Sequence, residues 1–449
     1  MEKTKTLARS LTPLMLWGLG VGYVISGMYF GWNLGLAEGG TLGLGIATFF
    51  ITIMYVTFTF SYTELACAIP KAGGVFDYAE KALGKNWGFV AGIAQLVEFI
   101  FAPPAIAAAI GAYFHIFFPK IPVVAIAISA YFLFTIINIL GVKIAASFEL
   151  VITILAVIEL LIFSGVTLPH FEFSNLQQNA FPFGIKGIFA SIPFAIWFFL
   201  AIEGVANVAE ETINPQKNVL IGFGSAILTL VFLCALTFIS SVGVAGWEAI
   251  VYSIPANGGN PVLSDSPLPL ALGRIVGEGN FLYHLLISIG LLGLIASFHG
   301  IILAGGRATY EFGRKGLAPE WIGKVNPRFE TPASALVFNM VIGIIALLSG
   351  KTGEIITIAC FGALALYIIS MISFFYLRKN YPLIPKNNHK GEKLERPFLV
   401  PMYPFFPGIA LIIALISIVS MAIFNSFLAL IFFGILAISF AGYKVFFKE

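Results

Sequence analysis

Along the chain, apolar runs of span length alternate with short segments that carry the charged residues, prolines and glycines. A helix needs about 20 predominantly apolar residues to cross the hydrocarbon of a bilayer, and charge or Pro/Gly punctuation marks where such helices stop. The pattern predicts twelve spans, at about 12–36, 41–66, 86–117, 121–140, 146–168, 187–208, 219–244, 281–309, 333–350, 353–377, 400–424 and 426–446. MEKTKTLARS (1–10) is polar and precedes a long span without an A-x-A cleavage pattern, which predicts a cytoplasmic tail rather than a removed signal peptide. The turn-rich NGGNPVLSDSPLP (257–269) predicts an external loop.

The basic residues set a direction. With the N-terminus inside and the spans alternating, all but four of the 25 Lys and Arg fall on the inner side. The exceptions are Lys120, Lys186, Arg274 and Lys351. That asymmetry predicts both termini in the cytoplasm. One missed or extra span would destroy it, so it also supports the count of twelve.

Composition narrows the class. The 449 residues are 59% hydrophobic and 10% charged, with mean hydropathy +0.96. Soluble domains carry about 25% charged residues, so soluble enzymes and nucleic-acid binders are excluded. The net charge of +3 is too small to imply a polyanionic partner. Cys67, Cys234 and Cys360 lie in apolar runs and fit neither a disulfide framework nor a metal cluster. No phosphate-binding loop, metal-ligand set or nucleophile with a base stands out, so no metal, cofactor or catalytic residue is expected. The expectation is an all-α integral membrane protein, one transmembrane domain over 1–449.

Within the bilayer, non-helical backbone is tolerated only around a cavity, and paired Gly-interrupted spans in matching positions point to a transport site. Span 1 contains GLGVGYVISGMYFGW (18–32), and span 6 contains IPFAIWFFLAIEGVANVAEE (192–211), with Pro193 and Gly204. They sit five spans apart, as in a five-plus-five inverted repeat. Glycines that merely let helices pack closely are the alternative. In span 3, Pro103 and Pro104 should kink the helix.

Four acids fall well inside spans: Glu64, Glu98, Glu159 and Glu203. A charge there costs about 2.5–3.5 kcal/mol on insertion scales, so each should be paired, protonated or facing water. Glu64, near the inner end of span 2, suits a structural role. Glu203, at the suspected break, could accept hydrogen bonds from freed backbone amides. No Lys or Arg falls in mid-membrane near Glu98 or Glu159, which leaves a proton, a cationic substrate or a bound cation to balance them. His299 in span 8 could relay protons or simply be a buried, hydrogen-bonded histidine. Trp197, Phe198, Phe199, Tyr23, Tyr29 and Trp32 cluster at the suspected breaks, where aromatic faces can hold an ammonium or only pack.

Three ordered stretches resemble the amino acid–polyamine–organocation (APC) permease superfamily. SYTELACAIPKAGGVFDYAEKALG (61–84) is similar to its E-L-x-x-x-x-P-x-A-G-G signature. EGVANVAEETINPQKN (203–218) is similar to its E-G…A-E-E-x-x-N-P motif, and RATYEFGRKGLAPEWIGKVNPRFETPASAL (307–336) to its R-x-x-Y…P-x-x-P segment. ISGMYFGWNLGLAEGG (25–40) and LVEFIFAPPAIA (96–107) resemble bacterial ethanolamine permeases.

The resemblance implies a leucine-transporter-type fold of twelve transmembrane helices. Helices 1 and 6 would be broken, repeat one would cover about 12–168 and repeat two about 187–377, and helices 11 and 12 would lie at about 400–446. It implies alternating access in a bacterial cell membrane. Carried onto this chain, the substrate positions are Val24, Ile25, Ser26, Gly27 and Met28 in span 1, and Trp197, Phe199, Leu200, Ala201 and Ile202 in span 6. Glu98 joins them as a candidate contact. Glu98, Glu159, His299 and Glu203 are the candidates for proton coupling or counter-charge.

The chain departs from the superfamily pattern. The span-1 G-[ST]-G is Ile25-Ser26-Gly27, so the first glycine is lost where amino-acid carriers hold a carboxylate. The span-6 glycine is Ala201, and Ala156 stands where many members carry a span-5 Lys. These changes favour a small organic amine without a carboxylate, most simply ethanolamine, possible coupling to protons included; an amino-acid permease of the same fold is the alternative. A membrane enzyme would need a catalytic constellation, a channel a continuous polar pore and a sensor a signalling domain, none of which this sequence shows. Oligomeric state is not legible.

Overall fold

The structure, a computed structural model, describes residues 9–71, 73–140, 145–254, 259–382 and 394–446. The predicted N-terminal tail lies mostly outside them, as do parts of the 257–269 loop and of the 378–399 connection. The described chain is almost entirely helical. Its first half comprises α1 (Pro13–Val24), α2 (Ser26–Tyr29), α3 (Trp32–Ala68), α4 (Val75–Leu83), α5 (Lys85–Phe117), α6 (Val123–Leu140) and α7 (Ala145–Thr167). Then come α8 (Phe173–Gln177), α9 (Gly184–Ala190), α10 (Ile192–Trp197), a 3₁₀ segment (Ile202–Glu211), α11 (Pro215–Ala245), α12 (Glu248–Val251) and α13 (Pro267–Val276). The chain ends with α14 (Phe281–Arg314), α15 (Ala333–Leu347), α16 (Thr352–Asn380), α17 (Phe405–Phe424) and α18 (Ser426–Phe446).

Ten helical segments among the described residues are long and apolar enough to cross a membrane. Two of the twelve predicted spans are not in that set. The first is divided between α1, α2 and the start of α3, and the ninth is the 15-residue α15. Thr12 caps α1 by accepting from the Met15 amide at 3.3 Å, with Pro13 pre-set for the first turn. α3 joins the end of predicted span 1 to span 2 through Gly40, whose φ of +65° marks a bend within it. α5 carries Pro103 and Pro104 inside one continuous helix.

Burial divides the helices by role. α5, α16 and the 192–211 stretch are buried over most of their length, whereas α6, α17 and α18 expose large apolar side chains such as Phe132, Ile416 and Leu430. A helix that is apolar all round and exposed on one side is what a lipid-facing position requires. The segment after α11 is more ordered than a turn-rich loop: Tyr252–Ser253 pairs antiparallel with Val262–Leu263, and α13 packs beyond it.

Candidate substrate-binding site

Spans 1 and 6 meet at their interruptions. Ile25 interrupts α1 without leaving the helical region (φ −59°, ψ −23°), and α2 restores one turn. The sharp departure follows at Phe30, which is extended, and Gly31, at φ +87°. In span 6, α10 stops at Trp197, residues 198–201 form turns, and Ala201 is left-handed at φ +74°. A side chain at Gly27 would collide with the Trp197 carbonyl oxygen and approach Phe198 Cα to 3.1 Å, so the two backbones touch there. The positions singled out from sequence on both spans are therefore neighbours, and all are buried, from Ile25 at 0% to Leu200 at 4% exposed.

The carbonyls freed by the interruption already have donors. Tyr23 O accepts from the Ser297 hydroxyl at 2.6 Å, and Ser297 is itself 2.8 Å from the Ser26 hydroxyl. Met28 O accepts from the Trp32 indole at 3.1 Å, Tyr29 O from the Tyr113 hydroxyl at 2.9 Å and Phe30 O from the Trp197 indole at 3.0 Å. Trp197 also stands edge-on to Phe30, with centroids 5.4 Å apart. The amides of Ile25, Met28 and Phe30 are used within the chain, on Val21 O, Ile25 O and Ser26 O.

Glu98 reaches this seam from α5. Its Oε1 accepts from the Ala201 amide at 3.0 Å, so Glu98 rather than Glu203 takes the backbone donor freed by the break. Its carboxyl also lies close enough to that of Glu203 for the two to act on each other. Glu203 accepts from the Tyr367 hydroxyl at 2.9 Å, and Tyr367 lies 3.1 Å from the Tyr55 hydroxyl. Glu98 Oε2 and Glu203 Oε1 find no donor among the described residues. Two buried carboxyls placed this close favour sharing one proton, because a second negative charge beside the first is repelled.

Glu159 stands apart from that pair. It accepts from Tyr29 at 2.7 Å, and Tyr113 binds the Tyr29 carbonyl, so this acid steadies the interruption from the α7 side. Glu64 is structural: it accepts from Arg378 at 2.7 Å and the Val400 amide at 2.8 Å, with Arg396 at 3.2 Å. His299 faces Glu149, an acid that the sequence reading passed over because it lies one turn inside span 5. Its spacing to Thr153 and Ala156, four and seven residues on, would have placed it on the face of span 5 that matters. Tyr29 stood out only as one of the aromatics near the break, and Tyr55, Tyr367 and Ser297 were visible only as common residue types, since their roles depend on contacts more than a hundred residues apart.

Both ends of the bundle carry cavities. At one, Leu11 and Thr212 form a bridge, Arg307 pairs with Glu211 at 2.9 Å, and Lys315 with Asp77 at 2.8 Å, beside a cavity of about 940 Å³ lined by Phe76, Glu80, Trp87 and Lys315. At the other, a cavity of about 480 Å³ is lined by Leu34, Glu38, Phe194, Asp265, Lys351 and Thr352. Leu34 lies in the first turn of α3 just after the Phe30–Gly31 departure and Phe194 one turn before Trp197, so this cavity approaches the seam from one side. Asp265 in its wall accepts from Thr352 at 3.0 Å. Burial pushes the Asp265 carboxyl up to about 6, against the opposing effect of that hydrogen bond.

The family profile described as "Amino acid permease" matches residues 11–446. An uncharacterized transporter of Rhizobium meliloti is 26% identical over 418 residues, covering 91% of this chain and 85% of that one. The methylthioribose transporter of Bacillus subtilis is 27% identical over 434 residues (91% and 87%), and a branched-chain amino acid permease of the same organism 24% identical over 441 residues (93% and 89%). These relatives are transporters and not enzymes. With nearly every described residue inside the matched region, the chain belongs to the amino acid permease family, within the amino acid–polyamine–organocation superfamily.

Proposed function

We propose that this permease is a secondary active transporter that imports a small organic amine, ethanolamine being the simplest, across a bacterial plasma membrane by alternating access. In this reading both termini are cytoplasmic. The architecture is twelve spans with a five-plus-five inverted repeat, spans 1 and 6 being the broken pair; α1–α2 with the start of α3, and α15, supply the two spans that are short as single helices. The substrate lies between Val24–Met28 and Trp197–Ile202, entering through the 480 Å³ cavity while the ion pairs at the other end are closed.

The observation that carries this is the Glu98–Glu203 pair at the seam. Two neighbouring buried carboxyls, with no Lys or Arg at that depth in any span, suit an ammonium group. The amide usage supports the absence of a carboxylate on the substrate: Ile25, Met28 and Phe30 already donate within the chain. A second reading, an amino-acid permease of the same fold, is favoured by the branched-chain amino acid permease among the relatives.

Purified protein in proteoliposomes, given radiolabelled ethanolamine against alanine, serine and branched-chain amino acids with and without a proton gradient, separates the two. Ethanolamine should compete best. Clear preference for an amino acid would replace the first reading by the second.

A further inference from the structure

The cavity of about 940 Å³ beside the Lys315–Asp77 pair lies between the α4–α5 turn, the chain just past α14 and the tail of α18, and none of its lining residues belongs to the substrate seam. Three lysines stand in its wall: Lys85, Lys315 and Lys444. Phe76, also in the wall, forms a small apolar cluster with Phe89 and Phe312, set apart from the main core. Tyr443 of α18 stacks on Phe89 with ring centroids 4.4 Å apart. Lys315 Nζ sits 3.6 Å from the centre of the Phe76 ring while pairing with Asp77. Lys444 donates to Asn86 Oδ1 at 2.8 Å and faces the rings of Phe440 and Tyr443. That hydrogen bond ties the tail of α18 to the first turn of α5, a helix that starts without a side-chain cap and presents the positive end of its dipole here.

The outer flank of this cavity faces lipid. Trp87 in its wall is 50% exposed, and along α18 the side chains of Ile438 and Val445 are 76% and 66% exposed. Apolar side chains bared on a spanning helix belong in hydrocarbon, and tryptophan collects where hydrocarbon gives way to headgroups. The lysines beside Trp87 and Val445 thus stand at the depth of the lipid phosphates. Their charge is only partly balanced. The acids that face them are Glu80, in the wall, and Asp77, on Lys315. Three ammonium groups against two carboxylates leave one positive charge, which matches the single negative charge of a phosphodiester. Lysine suits the position, because its stem can lie along aromatic rings while the ammonium reaches a headgroup, and basic pockets between helices at the membrane face attract anionic headgroups. A zwitterionic lipid brings its own cation and gains less there.

We propose that this cavity binds the phosphodiester headgroup of an anionic phospholipid, with Lys444 and Lys85 reaching the phosphate and an acyl chain lying along the exposed apolar side of α18. The bound lipid fastens the tail of α18 to the α4–α5 turn, beside the Lys315–Asp77 pair. The proposal rests on the chain lying in a bilayer and not on the choice of substrate, so its test omits substrate.

The experiment is native mass spectrometry of the full-length protein in detergent, titrated with phosphatidylglycerol or with phosphatidylcholine of the same acyl chains. Phosphatidylglycerol should bind about tenfold or more tightly, and Lys444→Gln and Lys85→Gln should each weaken it about fivefold, the ordinary share of one lysine near an anionic membrane surface. The double variant should lose roughly 25-fold, and phosphatidylcholine should bind all of these proteins alike. Both lysines are exposed, so the substitutions leave the fold intact. Lys324, 70% exposed and outside the cavity, is the control: Lys324→Gln should bind phosphatidylglycerol as wild type does. Equal affinity for the two lipids, or unchanged phosphatidylglycerol affinity in the double variant, overturns the proposal. A loss in Lys324→Gln as large as in Lys444→Gln overturns it too, because the attraction is then spread over the whole surface. Displacement of phosphatidylglycerol by millimolar inorganic phosphate would assign the cavity to a free anion and reject the lipid.

Discussion

If Glu98 supplies charge at the substrate seam and not merely shape, Glu98→Gln isolates that contribution. A glutamine keeps the carbonyl oxygen that accepts the Ala201 amide at 3.0 Å, and its NH₂ can donate to Glu203 as the shared proton does. The fold should therefore lose less than about 1 kcal/mol, since both hydrogen bonds survive. What disappears is the ability to become the second carboxylate when an ammonium arrives. A hydrogen bond to a charged group is worth about 1.5–3 kcal/mol, so affinity for ethanolamine should fall roughly 10- to 150-fold. If the ammonium displaces the shared proton in the wild type, affinity should rise with pH by up to about tenfold per unit for one-for-one exchange, and Glu98→Gln should be flat. Glu98→Ala provides the contrast: it leaves the Ala201 amide buried without an acceptor, at about 1–3 kcal/mol, and should lower thermal stability as well. Isothermal titration in two buffers of different ionisation enthalpy reads both affinity and proton release. A folded Glu98→Gln protein with wild-type affinity and an unchanged pH profile refutes the role for Glu98.

Four further outcomes follow from the same geometry. Trp197→Ala removes the indole bond to Phe30 O and the edge contact with its ring, along with a cation–π surface worth about 1–2 kcal/mol, so ligand affinity should fall about tenfold or more; wild-type affinity would mean the indole only packs. Ile25→Gly should improve competition by alanine and serine against ethanolamine, because it restores the glycine at the start of the span-1 motif; an unchanged competition series defeats the steric argument. Ala201→Gly should be neutral to stabilising by up to about 1 kcal/mol, since relief of a left-handed alanine at φ +74° outweighs the added freedom of the unfolded chain, read as a rise in melting temperature. Asp265 has a folded-state value of about 6 against an ordinary 3.8, so burying it favours the protonated form; its contribution is present below about pH 3.8 and lost as pH rises through 6. Asp265→Asn should accordingly gain thermal stability over wild type as pH increases from 4 to 7, and parallel melting curves would exclude this.

Most of the spans were legible because the bilayer imposes length and polarity directly, and the acids at Glu98 and Glu203 were visible because any charge in an apolar run stands out. What the sequence could not locate is where along span 1 the helix departs. Glycines recur from Gly18 to Gly31 at five positions, and pattern alone does not distinguish those that let backbones touch from those that turn the chain. Gly27 is pressed against Trp197 while the turn falls at Gly31, each fixed by contacts from span 6. Glu149 escaped for the opposite reason. One turn inside a span, an acid looks like a boundary marker, and only its burial against His299 separates it from a headgroup-level charge. Likewise nothing local in the 245–280 segment announced α13, whose ten residues are ordered by packing against α11 and α14.

The distribution of donors at the seam bears on which part of the site discriminates between ligands. Four carbonyls near the interruption, of Tyr23, Met28, Tyr29 and Phe30, are already bonded to Ser297, Trp32, Tyr113 and Trp197. A substrate amine that takes one of them must displace a neutral donor, so the gain is the difference between two hydrogen bonds and is small. The displaced donor then needs a new partner or loses about 1–3 kcal/mol. The carboxyl pair obeys different arithmetic. When the shared proton leaves, both Glu98 and Glu203 keep their bonds to Ala201 and Tyr367, and the arriving cation offsets the repulsion between the two carboxylates in the proton's place. Preference for a charged amine over a neutral isostere should thus be set by the two acids, and the backbone carbonyls should contribute orientation. A neutral analogue of matched shape, such as ethylene glycol in place of ethanolamine, should bind wild type poorly. It should lose little further affinity in Glu98→Gln, whereas equal losses for both ligands would assign discrimination to the carbonyls instead.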